Sequence, residues 1–310
     1  MKCKLCGNEK NNTIHKVPER VINTGAVFEY LECCNCKSWM LAEEVDVSEW
    51  YPQNYNVYNK KIEKHLRYFF LIHYICRCPH SHFDRIFQIK NLDIQIKRLC
   101  GTRINCKSKI LDVGCANGSW LDILASVGFK RITGVDLFIP DKKVCGRRKW
   151  KFVKGDIFDI RDKNYDLITL NHSFEHMLNP LEVLKRIYRL LSDKGVCEIS
   201  IPLANGDAHR KFGEFFCQLD APRHTYIFGE DAMVNLCKRA GLKVDYINYD
   251  SHELIYSLSE GYKKTFKSHS ELLKNIYTVE YYKKRALMSN KRRDADQAIF
   301  YLSKNIQKGH

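Results

Sequence analysis

The stretch Lys109-Ile-Leu-Asp-Val-Gly-Cys-Ala-Asn-Gly118 decides the fold. Lys109 to Val113 reads as a short strand, Gly114 and Gly118 bracket a turn, and a helix is expected from about Gly118 onward. A strand, a glycine turn and a helix in that order open a doubly wound α/β sheet, in which ligands sit beyond the carboxyl ends of the strands. Glycine lets backbone amides approach a ligand closely and tolerates positive φ. A dinucleotide site would need G-x-G-x-x-G. Here Gly114 and Gly118 lack that spacing, and Leu121 stands where a further glycine would help the helix pack, so the NAD reading is weak.

Outward from this turn, apolar strand patterns alternate with helical ones. Strands are expected at Arg131–Val135, Trp150–Val153, Tyr165–Leu170, Val196–Ile201 and Lys243–Asn248, and helices at about Pro180–Leu191 and Glu230–Ala240. Pro180 falls at a first helical turn, and Gly195 and Gly241 fall just past helix ends. The run Gln297 to Leu302 could return as a seventh strand beside the one at Lys243. The fold expected is α/β, a doubly wound, Rossmann-like, seven-stranded and mostly parallel sheet.

Three acids sit at successive strand ends. Asp112 lies two residues before the first glycine, where a dinucleotide fold usually keeps an apolar residue, and it can organise the loop and a ligand's ammonium end. Asp136 ends the second strand about 20 residues beyond the glycine turn, where a carboxylate can accept both hydroxyls of a ribose. Asp156 follows the third strand and can accept from an adenine amino group while Ile157 packs on the ring.

With these positions in strand order, Lys109 to about Asn248 resembles the class I methyltransferases that use S-adenosylmethionine (SAM). The resemblance implies SAM as cofactor, held by Asp112, Gly114, Cys115, Ala116, Gly118, Asp136, Leu137, Asp156, Ile157 and Asn171. Ala116 departs from the family, which usually shows glycine there. After the fourth strand the run Asn171-His-Ser-Phe-Glu-His176 and the later Leu190-Leu-Ser-Asp-Lys-Gly195 resemble the small-molecule branch, the quinone-biosynthesis and sugar methyltransferases. Methyl transfer needs the acceptor in line first and a base second. His176 or Glu175 is a candidate base, or else positions the loop. Asp220-Ala-Pro-Arg-His-Thr-Tyr226 resembles the branch's acceptor-facing segment, with His224 as rival base and His172, Arg223 and Tyr226 toward the substrate.

Cys3-x-x-Cys6 and Cys33-x-x-Cys36 are two knuckles with the spacing of a four-thiolate structural zinc site, a zinc-ribbon-like module. Cys34 breaks the spacing, and Cys76, Cys78, His80 and His82 are too irregular for a second site. Some bacterial methyltransferases of sugar and surface-glycan pathways resemble this layout. The expected organisation is a zinc module at 1–41, a connector and helical lead-in at 42–100, and a SAM domain at 101–310 with a helical insertion at about 250–293.

The 14 cysteines split between that module and scattered core positions, which suits a reducing cytosol better than a disulfide framework. No apolar run is long enough to span a bilayer and none opens the chain, so a soluble, unprocessed, cytoplasmic protein is expected. The net charge of +15 is concentrated toward the C-terminus, where residues 261–310 carry an excess of eight positive charges. Such a surface suits nucleic acid, nucleotide-linked substrates or anionic lipid headgroups, or is simply a solvated face. The leading reading is a SAM-dependent methyltransferase acting on a small molecule or a glycan-pathway acceptor such as a nucleotide-linked sugar or a surface polysaccharide component. An RNA methyltransferase and a non-catalytic SAM-fold scaffold remain alternatives. The fourth-strand run lacks the Asn/Asp-Pro-Pro-aromatic signature of base-amino methylation.

Overall fold

The computed structural model describes residues 1–51, 69–82, 85–86, 94–138, 150–264 and 279–306. Most of the expected connector, the start of the helical lead-in and the middle of the expected helical insertion, including Leu272, Leu273, Ile276 and Tyr277, lie outside the described residues.

Two sheets organise the chain. The larger has seven strands in the order β10-β11-β8-β7-β4-β5-β6, namely β4 (Lys109–Val113), β5 (Arg131–Asp136), β6 (Lys151–Lys154), β7 (Tyr165–Asn171), β8 (Leu191–Pro202), β10 (Leu242–Tyr249) and β11 (Gln297–Lys304). β4 pairs in parallel with both β5 and β7, and β7 with β8. β11 runs antiparallel and enters between β10 and β8. The expected last strand therefore lies beside the Lys243 strand, and it also separates that strand from β8.

Central parallel strands are covered on both faces and read as continuous apolar runs. In β4, Ile110 faces one core and Leu111 the other, as the period-two alternation of a strand requires. On one face lie α1 (Phe69–Arg77), α2 (Ile94–Lys97) and α3 (Ser119–Ser126), contributing Ile72, Ile75, Ile96, Leu121 and Leu124. The other face takes α4 (Pro180–Leu190) and α6 (Glu230–Arg239). Pro180 occupies the first turn of α4, where its missing N–H costs nothing, and Val183, Leu184, Ile187 and Leu190 recur at helical spacing to form its buried stripe. Among the described residues no helix is long and apolar enough to cross a membrane.

The smaller sheet has the order β1-β2-β3-β9. A hairpin of β1 (Thr13–Pro18) and β2 (Val27–Glu32) is followed by β3 (Trp39–Leu41). Its fourth strand, β9 (Tyr226–Ile227), comes from the far end of the chain, with Trp39 opposite Ile227 and Met40 opposite Tyr226. The apolar core is likewise shared. Cys3, Leu5, Leu31 and Met40 pack in one cluster with Phe228, Met233 and Leu236. A third core lies between this sheet and α5 (Asp207–Phe212), α7 (Glu253–Lys263) and α8 (Val279–Lys291), around Tyr30, Trp39, Phe212, Tyr256 and Tyr282.

Candidate functional site

The carboxyl ends of β4, β5, β6 and β7 open into a cavity of about 760 Å³. Its first end is built by backbone. Gly114 takes φ 75°, and a Cβ there would stand 2.5 Å from the Ser173 Cβ, whose hydroxyl is tied to the Val113 carbonyl at 2.8 Å. Gly114 N–H and Cys115 N–H both donate to the Val135 carbonyl, at 2.9 and 3.1 Å. Ala116 also sits in the left-handed region, at φ 47°, held by its N–H donating to Asp136 Oδ2 at 2.9 Å. The residue that departs from the family's glycine thus adopts a glycine-type conformation at a cost of about 1 kcal/mol.

Asp112 is buried and accepts from Thr169 Oγ1 at 2.6 Å. Burial pushes its carboxyl up to about 7, a shift that Thr169 only partly offsets. A buried carboxylate whose charge is held back by desolvation suits a cationic ligand group. Asp136 accepts from Phe138 N–H at 2.9 Å as well as from Ala116. Asp156 is exposed at the rim, where it caps the turn at Ile157–Asp159 by accepting from Phe158 N–H at 2.7 Å. Leu137 and Ile157 line the walls, joined by Phe138, Phe158 and Trp120. Gly118 does not line the cavity. It starts α3 at φ 77° beneath Trp150, whose ring leaves no space for a side chain.

The second end is assembled from distant segments. His172, His176 and His224 line it. The His176 and His224 rings meet edge to face, with centroids 4.6 Å apart. His176 Nδ1 donates to the Arg223 carbonyl at 2.8 Å and lies 2.9 Å from the Tyr51 hydroxyl. Tyr51 stacks on Phe138 at 4.5 Å and joins the two ends of the cavity. His224 Nδ1 donates to the Gln218 carbonyl at 2.7 Å. Burial, reinforced by His176, pushes the His224 imidazole down to about 4, so it is neutral near pH 7. Asn171 is fixed by a hydrogen bond from Arg98, which also faces Glu198 and Asp250 in a buried charge cluster.

Two expectations for this end, Arg223 and Tyr226 toward the substrate, are corrected, and of the two readings of Glu175 its burial favours the positioning one. Glu175 has no exposed surface and does not line the cavity; it lies behind the histidines, with Oε1 accepting from His172 Nδ1 at 3.2 Å. Burial raises its carboxyl, but His172, His224 and His176 outweigh that and hold it below the ordinary range. Arg223 is fully buried, its guanidinium donating to Asp220, to Glu19 and to the Trp50 carbonyl, so it is not presented to an anionic acceptor. Tyr226 is also buried, its hydroxyl donating to the Leu178 carbonyl at 3.2 Å, because β9 turns it into the smaller sheet.

Tyr51 and Phe138 escaped the sequence reading. For Tyr51 the available signal was the aromatic run Trp50-Tyr-Pro-Gln-Asn-Tyr-Asn-Val-Tyr58, too rich in large rings for a plain connector; for Phe138 it was the position two residues after the strand-end acid Asp136.

At the other end of the small sheet, the Sγ atoms of Cys3, Cys6, Cys33 and Cys36 all lie within 4.8 Å of one another. Cys3 and Cys36 are 3.7 Å apart, Cys6 and Cys33 3.5 Å. Four thiolates around zinc at about 2.3 Å would stand about 3.8 Å apart. Cys3 and Cys36 share a proton, which pushes the Cys36 thiol down and the Cys3 thiol up. Cys34 stays outside the group, donating to the Lys10 carbonyl at 3.0 Å.

A family model described as a methyltransferase domain matches residues 70–247, more than half of the chain. No curated protein matches. Among solved structures, the chain is similar to a SAM-dependent methyltransferase from Archaeoglobus fulgidus (19% identity, 64% of this chain and 86% of that one, TM-score 0.43). It is also similar to a chain from the complex of the Haloferax volcanii Trm112 methyltransferase activator (13% identity, 74% and 96%, TM-score 0.48). A third is NcsB1, an O-methyltransferase of neocarzinostatin biosynthesis in complex with S-adenosyl-L-homocysteine (18% identity, 46% of each chain, TM-score 0.39).

Proposed function

We propose, from the premise that this chain belongs to the methyltransferase-domain family, that it transfers the methyl group of SAM to a small-molecule or glycan-pathway acceptor. A nucleotide-linked sugar or a component of a surface polysaccharide is the acceptor class we favour. One observation carries this reading: a single cavity of about 760 Å³ joins the acid-edged strand ends to a pocket framed by His172, His176 and His224. A concave pocket of this size takes a cofactor and a compact acceptor together.

SAM supplies the electrophilic methyl; everything else falls to this chain. In our reading Asp112 receives the cofactor's ammonium end, Asp136 its ribose, and Asp156 and Ile157 its base. The amides of Gly114, Cys115 and Ala116 hold the loop against β5. At the other end, His176 and His224 frame the acceptor; their Nδ1 atoms are engaged by backbone carbonyls, and His224 Nε2 faces Glu175 and Asp220. Glu175 and Arg223 position these rings from behind. We further propose that 1–41 is a structural zinc module, that 42–100 leads into a SAM domain over 101–310, and that the protein works in the reducing cytoplasm, where its thiols remain free.

The test is incubation with methyl-labelled SAM and fractionated extract. Label is expected in sugar-nucleotide or polysaccharide-precursor fractions. Label in RNA alone would replace this reading by the nucleic-acid one. Full turnover on the true acceptor by both His176→Ala and His224→Ala would remove the histidines from the site.

A further inference from the structure

We propose that Glu175, His176 and His224 form a second metal site, distinct from the cysteine cluster, which holds a divalent cation at the acceptor end of the cavity and takes acceptor oxygen atoms in its remaining positions. One donor atom from each of the three residues lies within 4.8 Å of the other two. His224 Nε2 stands 3.9 Å from Glu175 Oε1. That is too long for a hydrogen bond, and it falls inside the roughly 4.2 Å that two donors can span across one ion at about 2.1 Å each.

The surroundings of the three groups point the same way. A histidine that ligates a metal characteristically donates its other ring N–H to a backbone carbonyl or carboxylate, which fixes the tautomer and turns a lone pair toward the ion. Both histidines do this. His176 Nδ1 donates to the Arg223 carbonyl at 2.8 Å and His224 Nδ1 to the Gln218 carbonyl at 2.7 Å. Each Nε2 is left as the atom with a free pair. Glu175 has no exposed surface, and among the described residues its Oε2 is buried without a hydrogen-bond partner. A buried carboxylate oxygen left unpartnered is costly, and a bound cation satisfies it. His172 Nδ1 holds Oε1, and Thr225 Oγ1 donates to the Glu175 backbone carbonyl at 3.0 Å, which fixes the backbone that carries the side chain. Asp220 Oδ2, also 3.9 Å from His224 Nε2, is bound to Arg223 instead.

Two imidazoles and one carboxylate suit borderline ions such as Mn²⁺, Fe²⁺ and Zn²⁺ and leave positions open on the cavity side. Those positions favour an acceptor that offers two neighbouring oxygens, such as a vicinal diol, which narrows the acceptor class proposed above. The metal site itself rests on the geometry and not on that acceptor.

Mn²⁺ binds weakly to thiolates, so it separates this site from the cysteine cluster. The full-length protein, with its zinc content measured, is titrated with MnCl₂ while the free-ion electron paramagnetic resonance signal is followed. S-adenosylhomocysteine affinity is measured in parallel. Wild type is expected to take up one Mn²⁺ per chain. Glu175→Gln and His176→Asn are both expected to weaken that uptake at least tenfold, with zinc unchanged and with at least one of the two retaining S-adenosylhomocysteine affinity within threefold. Any other pattern, including no uptake by wild type or equal uptake by either variant, overturns the metal site. Loss of S-adenosylhomocysteine binding by wild type would instead overturn the SAM reading.

Discussion

The two ends of the cavity are built in opposite ways. The end edged by Asp112, Asp136 and Asp156 comes from successive strand ends, and its shape depends on backbone: positive φ at Gly114 and Ala116, and amides donating to Val135 and Asp136. The histidine end exists only because distant segments meet. Glu19 reaches Arg223 across 204 positions, the Tyr30 hydroxyl donates to the His224 carbonyl at 2.7 Å, and β3 pairs with β9. The contrast teaches that one end of a cavity can be a local property of one turn and its neighbours, whereas the other end depends on N-terminal residues that pack behind it.

Removing the cysteine cluster should break this contrast most strongly, since structural zinc contributes roughly 10–16 kcal/mol in small zinc-folded peptides. Cys33→Ser is expected to lose bound zinc and to raise amide exchange sharply in β1 to β3 and in the 220–228 segment. Strands β4 and β5 should stay protected. Uniform protection, measured by hydrogen exchange, would show that the histidine end does not depend on the module.

Next in size is the buried ion cluster. Arg223→Met leaves Glu19 and Asp220 buried without their guanidinium, and stability should fall by about 3–5 kcal/mol in a urea titration. Affinity for S-adenosylhomocysteine in the remaining folded protein should change little, because no Arg223 atom lines the cavity.

The two ends also carry opposite pH signs. At the histidine end His224 is pushed by burial down to about 4, so it contributes stability above its ordinary pKa near 6.5, and it is lost as pH falls toward 4. Asp112 is pushed up to about 7, so its contribution is present below its ordinary pKa near 3.8 and is lost as pH rises through 7. Thermal melts should show a loss on the order of 3 kcal/mol on the acid side that His224→Asn reduces. On the alkaline side, SAM should restore what Asp112 loses, because its ammonium group favours the carboxylate. An acid-side loss unchanged by His224→Asn would place that sensitivity elsewhere.

The smallest expected effect is Ala116→Gly, which removes the cost of a left-handed alanine. It should stabilise the protein by about 1 kcal/mol, or tighten SAM binding a few fold, in calorimetry. A destabilised variant would show that the methyl group packs usefully against the loop.

The glycine turn and the acids at the strand ends were legible because their signals are local. Glycine at a strand-to-helix turn and acids at strand ends follow from the sheet's alternation, and the four cysteines follow from knuckle spacing. The same local reading misplaced Arg223 and Tyr226 and left two roles open for Glu175. A motif says which loop carries them but not which way they face, and a cation next to a histidine in an acceptor loop looks available until Glu19 and Asp220 are found around it.

By itself the sequence determined the α/β alternation, the seven strands, the acid-edged glycine turn and the thiol cluster, since each is written in spacings of a few residues. Only the tertiary structure decided that β9 completes the N-terminal sheet, that β11 enters between β10 and β8, and that Tyr51, His176 and His224 meet over a buried Glu175. The physical reason is that strand pairing and charge burial depend on partners up to 204 positions away. No local pattern states which buried charge will find its counterion, or which ring will be left facing the cavity.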